Sequence, residues 1–159
     1  MDVDGVLTDG MVYLVNEFEQ ARAMNIKDGY ALQLAVKKGY TLAVISGAYS
    51  AGVENRLKKL GITEVHLGIT DKLAVIQKLA KKYGYVAEQI LFIGDDIPDL
   101  EALNEAGLPC CPADAVPEIQ SICKYVSPHT GGKGCVRDVI EKVLKLNNDW
   151  HAEAGVVSA

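Results

Sequence analysis

Residues 1–10 read MDVDGVLTDG, and the rest of the sequence pattern is organised around them. This stretch places two carboxylates, Asp2 and Asp4, two residues apart and directly before Gly5. Side chains two apart in an extended segment point to the same side, and a turn opened by Gly5 can fold Asp4 back over Asp2. One carboxylate can then act as a nucleophile and the other as an acid and base, with a cation between them to reduce their repulsion. The alternative is a calcium-binding or turn-capping acidic pair.

Length and composition predict a single globular unit that spans residues 1–159. A chain of 159 residues is about the size of one domain. Hydrophobic residues make up 49% of it, so we expect a packed core rather than disorder. The net charge of −5 argues against a nucleic-acid binder, which would present a basic face. An anionic substrate would therefore need a few well-placed cations and a metal ion.

The four cysteines, at positions 110, 111, 123 and 135, include no Cys-x-x-Cys pair and no zinc-type spacing. We therefore expect free, buried thiols in a reducing cytosol. No apolar run reaches the length of a membrane span, and no signal peptide is visible. The expected location is cytoplasmic, without a membrane partner.

Hydrophobic periodicity predicts strands that alternate with helices. A hairpin is expected within about residues 10–25, from strands at 11–15 and 18–24. The first helix is expected from Asp28, the last at 135–146, and a tail at about 147–159. Further strands are predicted at 40–45, 64–67, 89–93, 108–111 and 124–126. This alternation predicts an α/β fold, a doubly wound parallel sheet with helices on both faces.

Polar residues follow the predicted parallel strands, at the sheet edge where ligands bind in such folds. They are Asp2 and Asp4, Ser46, Lys72, and the adjacent Asp95 and Asp96. Each alone has an ordinary explanation, because a serine after a strand is usually a turn residue and a lysine in a first helical turn is usually solvated. Two adjacent carboxylates after a buried strand are more informative, since they usually need a metal or another cation.

Together and in this order, these residues resemble the four motifs of the haloacid dehalogenase superfamily, whose first motif is Asp-x-Asp-Gly. The resemblance implies that Asp2 attacks phosphorus and becomes an aspartyl phosphate. It implies that Asp4 protonates the leaving alcohol and then activates water, and an Asp at this position favours phosphoester chemistry over dehalogenation. Ser46 and Gly47 would hold a phosphoryl oxygen, and Lys72 would neutralise the nucleophile and the phosphate.

The same resemblance implies a Mg²⁺ site formed by Asp2, Asp95 and the backbone carbonyl of Asp4. Asp96 would support this metal site. Asp99 would either orient the motif lysine, which we favour, or begin a helix. The chemistry agrees with this ligand set, because magnesium prefers a few carboxylates together with waters and a phosphate oxygen.

The spaces between the motifs are too short for a separate cap domain, so we expect a capless member with only the hairpin inserted. The stretches 25–30, 94–99 and 131–137 resemble the small capless branch that hydrolyses phosphates of sugar acids. This implies a cytoplasmic phosphatase of 3-deoxy-D-manno-octulosonate 8-phosphate in lipopolysaccharide biosynthesis, assembled as a homotetramer with composite active sites. The alternative substrate is a nine-carbon 9-phosphate. Because only Met1 precedes Asp2, we also expect most of the nucleophile's strand to lie upstream of the sequence given.

Three further basic residues are candidates for substrate binding. Arg56 and Lys59 lie one helical turn apart and match basic positions that the branch offers across a subunit interface, although solvated helix charges are equally compatible. Lys133 lies in a glycine-rich loop that could close on a phosphate or sugar acid, or could be a plain surface loop. One departure concerns the sugar, because the eight-carbon enzymes often have Thr-Gly-Arg where this chain has Ser46-Gly47-Ala48.

Two other classes of function share parts of this pattern. A receiver-type signalling domain has an acidic pocket, a phosphorylated aspartate and a lysine, but its phosphoacceptor lies later in the chain and does not need Asp4. A non-catalytic phosphatase-like oligomerisation module would not need the intact motif set. Steady turnover of a phosphate ester distinguishes the enzyme from both.

Overall fold

The computed structural model describes residues 1–17 and 20–156, which form an α/β fold. Its strands are β1 (Tyr13–Leu14), β2 (Gln20–Ala21), β3 (Ala43–Ser46), β4 (Glu64–Leu67), β5 (Leu91–Ile93), β6 (Leu108–Cys111) and β7 (Tyr125–Val126). Its α-helices are α1 (Ile26–Lys37), α2 (Ala51–Lys59), α3 (Lys72–Tyr83), α4 (Leu100–Glu105), α5 (Pro117–Ile122) and α6 (Cys135–Leu146). Strands and helices alternate from β3 to α6, as predicted.

The backbone of Met1 and Asp2 joins the parallel strands into one layer. β3 pairs with β4, and β6 lies between β5 and β7, all in parallel. Between these two groups, the Ile45 N–H donates to the Met1 carbonyl and the Asp2 N–H donates to the Ile93 carbonyl, each at 2.9 Å. Ile93 is the last residue of β5 and Ile45 the last but one of β3. Asp2 is therefore held at the carboxyl edge of the sheet, where ligands bind in folds of this class.

Helices cover both faces of the sheet, so the predicted doubly wound arrangement is confirmed. One apolar cluster includes Val44 with buried residues of α1, α2 and α6, and the other includes Ile45 with buried residues of α3, α4 and α5. Neighbouring residues of β3 thus point to opposite faces, as a strand requires. No cap domain is present among the described residues, and the small insertion is the antiparallel hairpin of β1 and β2.

The hairpin is shorter than predicted and its apolar side chains face outward. Tyr13 pairs with Ala21 and Leu14 with Gln20. The predicted second strand began at residue 18, but residues 18 and 19 lie outside the described part of the chain. The side chain of Leu14 is 77% exposed and that of Met11 is 60% exposed. A short strand pair with a bare apolar surface is marginal on its own.

The predicted starts of α1, β3 and β5 are also wrong, because the local backbone structure at each start was not visible in the sequence pattern. α1 begins before Asp28, since the Asn25 carboxamide oxygen accepts from the Lys27 N–H at 2.9 Å and caps the helix. β3 begins at Ala43 rather than at residue 40, because the Tyr40 N–H still donates to the Ala35 carbonyl at 3.0 Å. β5 begins at Leu91, since Ala87–Gln89 form a 3₁₀ turn.

The described part of the C-terminal tail packs against the end of α1 of its own chain. The Tyr40 hydroxyl donates to the Asp149 carboxylate at 2.8 Å, and the Lys38 ammonium donates to the Glu153 carboxylate at 2.6 Å. The prediction of a tail at about 147–159 extends beyond the described residues, which end at Val156. In the described ranges, no helix has both the length and the apolar character needed to cross a membrane.

Candidate active site

A buried lysine between two buried carboxylates forms the centre of the site. The Lys72 ammonium lies 2.6 Å from Asp99 Oδ1 and 3.0 Å from Asp2 Oδ1. The exposed fraction is 7% for Lys72, 8% for Asp2 and 1% for Asp99. Burial lowers the pKa of Lys72, but the Asp2 and Asp99 carboxylates outweigh it and raise the pKa above the usual value of 10.5. Lys72 is therefore a permanently charged group directed at the predicted nucleophile.

Asp99 braces this centre through both of its carboxylate oxygens. Oδ1 accepts from the Lys72 ammonium, and Oδ2 accepts from the Asp95 N–H at 3.0 Å. Its side chain does not cap α4, so its contacts agree with orientation of the lysine rather than with the start of a helix. Asp96 is exposed, and its Oδ1 accepts from the Ile97 N–H at 2.8 Å. Its contact supports the turn after β5.

Asp95 lies against the turn formed by residues 1–10. Gly5 has a φ of +84°, and a Cβ placed on it would lie 2.0 Å from Asp95 Oδ2. Only glycine fits there, because an L-residue would be strained at that φ and would overlap the carboxylate. The predicted turn at Gly5 therefore brings the first and last acidic motifs together.

The acidic residues of the site fit a divalent cation. Carboxylate oxygens of Asp2, Asp95 and Asp99 lie within 4.8 Å of one another. Asp95 Oδ1 is buried and has no hydrogen-bond partner among the described residues. Asp2 Oδ1 is buried beside the Lys72 ammonium, 3.0 Å away. Burial, and after it the neighbouring carboxylates, raise the pKa of Asp2 to about 6 and that of Asp95 to about 7. Oxygen ligands with excess negative charge are what Mg²⁺ binds. Both oxygens of Asp99 already accept hydrogen bonds, so Asp2 and Asp95 are the better ligands.

Asp4 lies beside these groups and is held by a residue that the sequence did not single out. Asp4 Oδ1 accepts from Arg22 Nε at 2.8 Å and from Thr8 Oγ1 at 3.2 Å. The Arg22 side chain is only 6% exposed. The sequence did contain a feature that could have identified Arg22. Side chains alternate between the two faces of a strand, so Arg22 lies on the same face as Met24, which points inward. A cation on an inward face needs an acidic partner.

Ser46 and Gly47 follow β3 at the same edge of the sheet. Ser46 is buried, and its Oγ accepts from the Ala48 N–H at 3.2 Å. This contact is that of an ordinary turn serine. The hydroxyl proton remains available as a donor, because a serine hydroxyl can accept and donate at the same time. Ser46 is therefore able to hold a phosphoryl oxygen while it stabilises the turn.

The three remaining basic candidates are not brought into contact with the acidic centre. Arg56 lies on α2, and its Nη2 is buried without a hydrogen-bond partner among the described residues. Lys59 is exposed at the end of α2. Lys133 is exposed, and its ammonium lies 4.0 Å from Asp9 Oδ2.

The glycine-rich loop around Lys133 is packed against the residue 1–10 turn. The Gly132 N–H donates to the Val6 carbonyl at 3.0 Å. A Cβ placed on Gly131 would lie 1.9 Å from the Gly5 carbonyl oxygen. Because the loop backbone is anchored in this way, closure on a ligand would have to come from the Lys133 side chain.

Comparison with known proteins identifies the family. The sequence model of the haloacid dehalogenase-like hydrolases matches residues 60–140. A 3-deoxy-D-manno-octulosonate 8-phosphate phosphatase of Escherichia coli K12 is 36% identical over 144 residues, which cover 91% of this chain and 77% of the relative. That of Yersinia pestis is 34% identical over 155 residues, which cover 98% and 83%. The chain belongs to the haloacid dehalogenase-like hydrolase family. The predicted family and the predicted enzyme class, a phosphoric monoester hydrolase, are confirmed.

A solved structure of this hydrolase family matches the fold closely. It is the 3-deoxy-D-manno-octulosonate 8-phosphate phosphatase of Moraxella catarrhalis in complex with magnesium, phosphate and the sugar acid KDO. Its TM-score is 0.91 at 39% identity, covering 94% of this chain and 86% of that protein. The predicted fold class is thereby confirmed a second time, by a member that holds the predicted metal.

Proposed function

We propose that this hydrolase is a magnesium-dependent phosphatase that converts 3-deoxy-D-manno-octulosonate 8-phosphate into the free sugar acid and phosphate. The observation that carries the chemistry is the Lys72 ammonium between the buried Asp2 and Asp99 carboxylates, with the unpaired Asp95 oxygen beside them. The choice of sugar is supported by the relatives, which are phosphatases of this ester at 34–39% identity.

In the first step, a carboxylate oxygen of Asp2 forms a bond to phosphorus while the bond from phosphorus to the sugar oxygen breaks. Asp4 gives its proton to the departing sugar oxygen, so the sugar leaves as an alcohol and Asp2 carries an aspartyl phosphate. In the second step, a water oxygen attacks the same phosphorus and Asp4 takes the proton from that water. The bond between phosphorus and the Asp2 oxygen breaks, which releases phosphate and restores the Asp2 carboxylate and the protonated Asp4.

The remaining residues position the phosphoryl group and neutralise its charge, which is most of what catalysis of phosphoryl transfer requires. Lys72 supplies a positive charge 3.0 Å from the nucleophilic carboxylate, and Ser46 donates its hydroxyl proton to a phosphoryl oxygen. Asp2, Asp95 and the Asp4 carbonyl would hold magnesium, which would neutralise the negative charge of the carboxylates and the phosphate. Asp99 keeps the lysine in place.

A phosphate-release screen over sugar-acid phosphates tests the substrate. We expect the eight-carbon 8-phosphate to be hydrolysed with a higher kcat/KM than the nine-carbon 9-phosphate and than simple sugar phosphates. Chelator should stop the reaction, and added magnesium should restore it. A preference for the nine-carbon ester would reject the substrate, and full activity after exhaustive chelation would reject the metal.

We also propose a homotetramer in which each active site is completed by a neighbouring subunit. The hairpin supports this, because a strand edge with Leu14 and Met11 exposed is a liability on a monomer. Arg56 supports it as well, since a buried guanidinium nitrogen without a partner is suited to a ligand or a neighbour. Mixing Asp2→Asn subunits with Arg56→Ala subunits should restore activity that neither has alone. A fully active monomer by light scattering would reject the assembly.

A further inference from the structure

The acid and base of the proposed reaction is restrained through one of its two oxygens. Arg22 Nε and Thr8 Oγ1 both donate to Asp4 Oδ1, at 2.8 and 3.2 Å. Among the residues that the structure describes, no hydrogen bond holds Oδ2. A carboxylate held in this way cannot turn freely about its Cβ–Cγ bond without losing both donors. Oδ2 is therefore the oxygen left to exchange a proton with the substrate.

Both donors are buried and fixed by their own surroundings. Thr8 is fully buried, and its Oγ1 also accepts from the N–H groups of Gly5 and Gly10, at 3.4 and 3.3 Å. Three groups therefore fix the position of this hydroxyl. The Arg22 side chain is 6% exposed and pairs with Asp4 alone among its described contacts. An arginine buried to this extent has a defined position rather than a solvated one.

Arg22 belongs to the hairpin rather than to any motif of the site. It directly follows β2, and two residues later Met24 forms an antiparallel bridge with Thr8. The chain from β2 to Met24 therefore runs beside the residue 1–10 turn and carries the guanidinium to Asp4. The hairpin register determines where the acid and base can lie.

We propose that Arg22, with Thr8, is a positioning residue that presents Asp4 Oδ2 to the sugar oxygen and then to the attacking water. This proposal rests on the proposed function. It adds that the hairpin is part of the catalytic apparatus through Arg22, in addition to any part it has in assembly. General acid–base catalysis contributes typically 10²–10⁴-fold, so misplacement of Asp4 should cost a substantial part of that factor.

The test compares two phosphate monoesters whose leaving groups differ in their need for a proton. Without the acid, the sugar of the 8-phosphate ester would have to leave as an alkoxide, so this ester needs the proton. 4-Nitrophenyl phosphate releases a stabilised phenolate and does not need it. Cleavage is measured under single-turnover conditions, with enzyme in excess, so that only the first step is observed. For Arg22→Met we expect a loss of about 100-fold with the sugar ester and less than about 5-fold with the aryl ester.

Three further variants separate positioning from folding. Thr8→Val removes the second donor without changing the side-chain shape, and it should show the same difference between the esters. Arg22→Lys keeps the charge and should recover part of the loss. Lys58→Met removes an exposed cation that, among the described residues, pairs with Glu54 on its own helix, and it should leave both rates unchanged. Circular dichroism and light scattering check that each variant keeps its fold and assembly.

The outcomes distinguish this proposal from the one on which it rests. If the wild-type chain is active and Arg22→Met loses the same factor in rate on both esters, or loses none, the role of Arg22 is overturned. The proposed function would still stand. Absence of turnover of any phosphate monoester by the wild-type chain would overturn the proposed function, and with it the part that Arg22 plays in that reaction.

Discussion

Removal of magnesium should expose a pH-dependent contribution of Asp2 and Asp95 to the stability of this protein. In the metal-free chain, burial raises the pKa of Asp2 to about 6 and that of Asp95 to about 7, from an ordinary value of 3.8. An acid with a raised pKa in the folded state contributes stability below its unfolded pKa, and this contribution is lost as the pH rises through the folded value. In the metal-free protein, these two carboxylates should therefore contribute a loss of stability between about pH 4 and pH 8.

The size of this loss follows from the two pKa values. One pKa unit corresponds to about 1.4 kcal/mol, so two independent groups with these values would give about 7 kcal/mol. The two carboxylates interact with each other and Asp95 is partly exposed, so we expect about 2–4 kcal/mol. In a domain of this size, that corresponds to a fall in Tm of roughly 5–15 °C.

Urea unfolding followed by circular dichroism measures this quantity. We would record it from pH 5 to pH 8, first with chelator and then with excess magnesium. Glu64 does not change the stability between pH 5 and pH 8, because its ion pair with Lys82 and its other hydrogen bonds hold its pKa at about 2. A depressed pKa contributes stability that is present above the unfolded value of about 4.5 and is lost only as the pH falls towards 2.

Magnesium should remove the pH dependence, because a bound cation favours the ionised form of both carboxylates and stabilises the folded state that binds it. Asp95→Asn is the matched control, and it should show a smaller pH dependence and a weaker response to magnesium. Burial lowers the pKa of the Met1 ammonium to about 5, and this group acts with the opposite sign in both chains. An equal pH dependence of the wild-type and Asp95→Asn chains without metal would therefore refute the reasoning. So would an unchanged pH dependence in the presence of saturating magnesium.

Three substitutions and one control variant test the geometry of the site directly. Asp2→Asn should reduce phosphate release by at least about 10⁴-fold without unfolding the chain, because the amide is a poor nucleophile, and substantial activity would exclude Asp2 from that role. Asp99→Asn should lower the free energy of unfolding in magnesium by about 1–3 kcal/mol, since an amide offers one acceptor to two buried donors. Asp96→Asn, on the exposed side of the same loop, should stay within about 0.5 kcal/mol of wild type, and equal losses would contradict the bracing role. Gly131→Ala should cost about 1–3 kcal/mol in thermal unfolding, because its Cβ would overlap the Gly5 carbonyl, and an unchanged Tm would contradict this packing.

Elements bounded by strong local signals were predictable from the sequence. β4, β6 and α6 lie at the predicted residues 64–67, 108–111 and 135–146. Glycines flank β4 at positions 61 and 68, β6 lies between Gly107 and Pro112, and glycines precede α6. Such residues interrupt regular structure through their own backbone restrictions or freedom. Boundaries of this kind need no information about tertiary contacts.

Boundaries and contacts set by distant groups were not predictable in this way. Tyr40 reads as the first residue of a strand, but it completes the end of α1 and bonds to Asp149 through its hydroxyl. Asp28 reads as the start of a helix, yet its carboxylate accepts from the Arg137 N–H at 2.7 Å. Arg22 reads as an ordinary strand residue, because its partner Asp4 lies 18 positions away. In each case the deciding contact joins segments whose proximity only the fold creates.

The acidic site could be located from the sequence because glycines stand where the backbone passes close to its carboxylates. The hydrogen bonds of the site could not be predicted in the same way. A Cβ would lie 2.0 Å from Asp95 if placed on Gly5, and 2.6 Å from Asp99 if placed on Gly94. No side chain larger than a hydrogen atom leaves room for the carboxylates at these points. Glycine beside aspartate at the end of a buried strand is therefore the physical condition for packing several carboxylates around one cation. The cost of that packing is the burial of charge, and after it the repulsion between carboxylates, which together raise the pKa values of Asp2 and Asp95. A bound divalent cation offsets this cost. A sequence that retains both the glycines and the acids thus specifies a fold whose active-site edge is most stable with the cation bound.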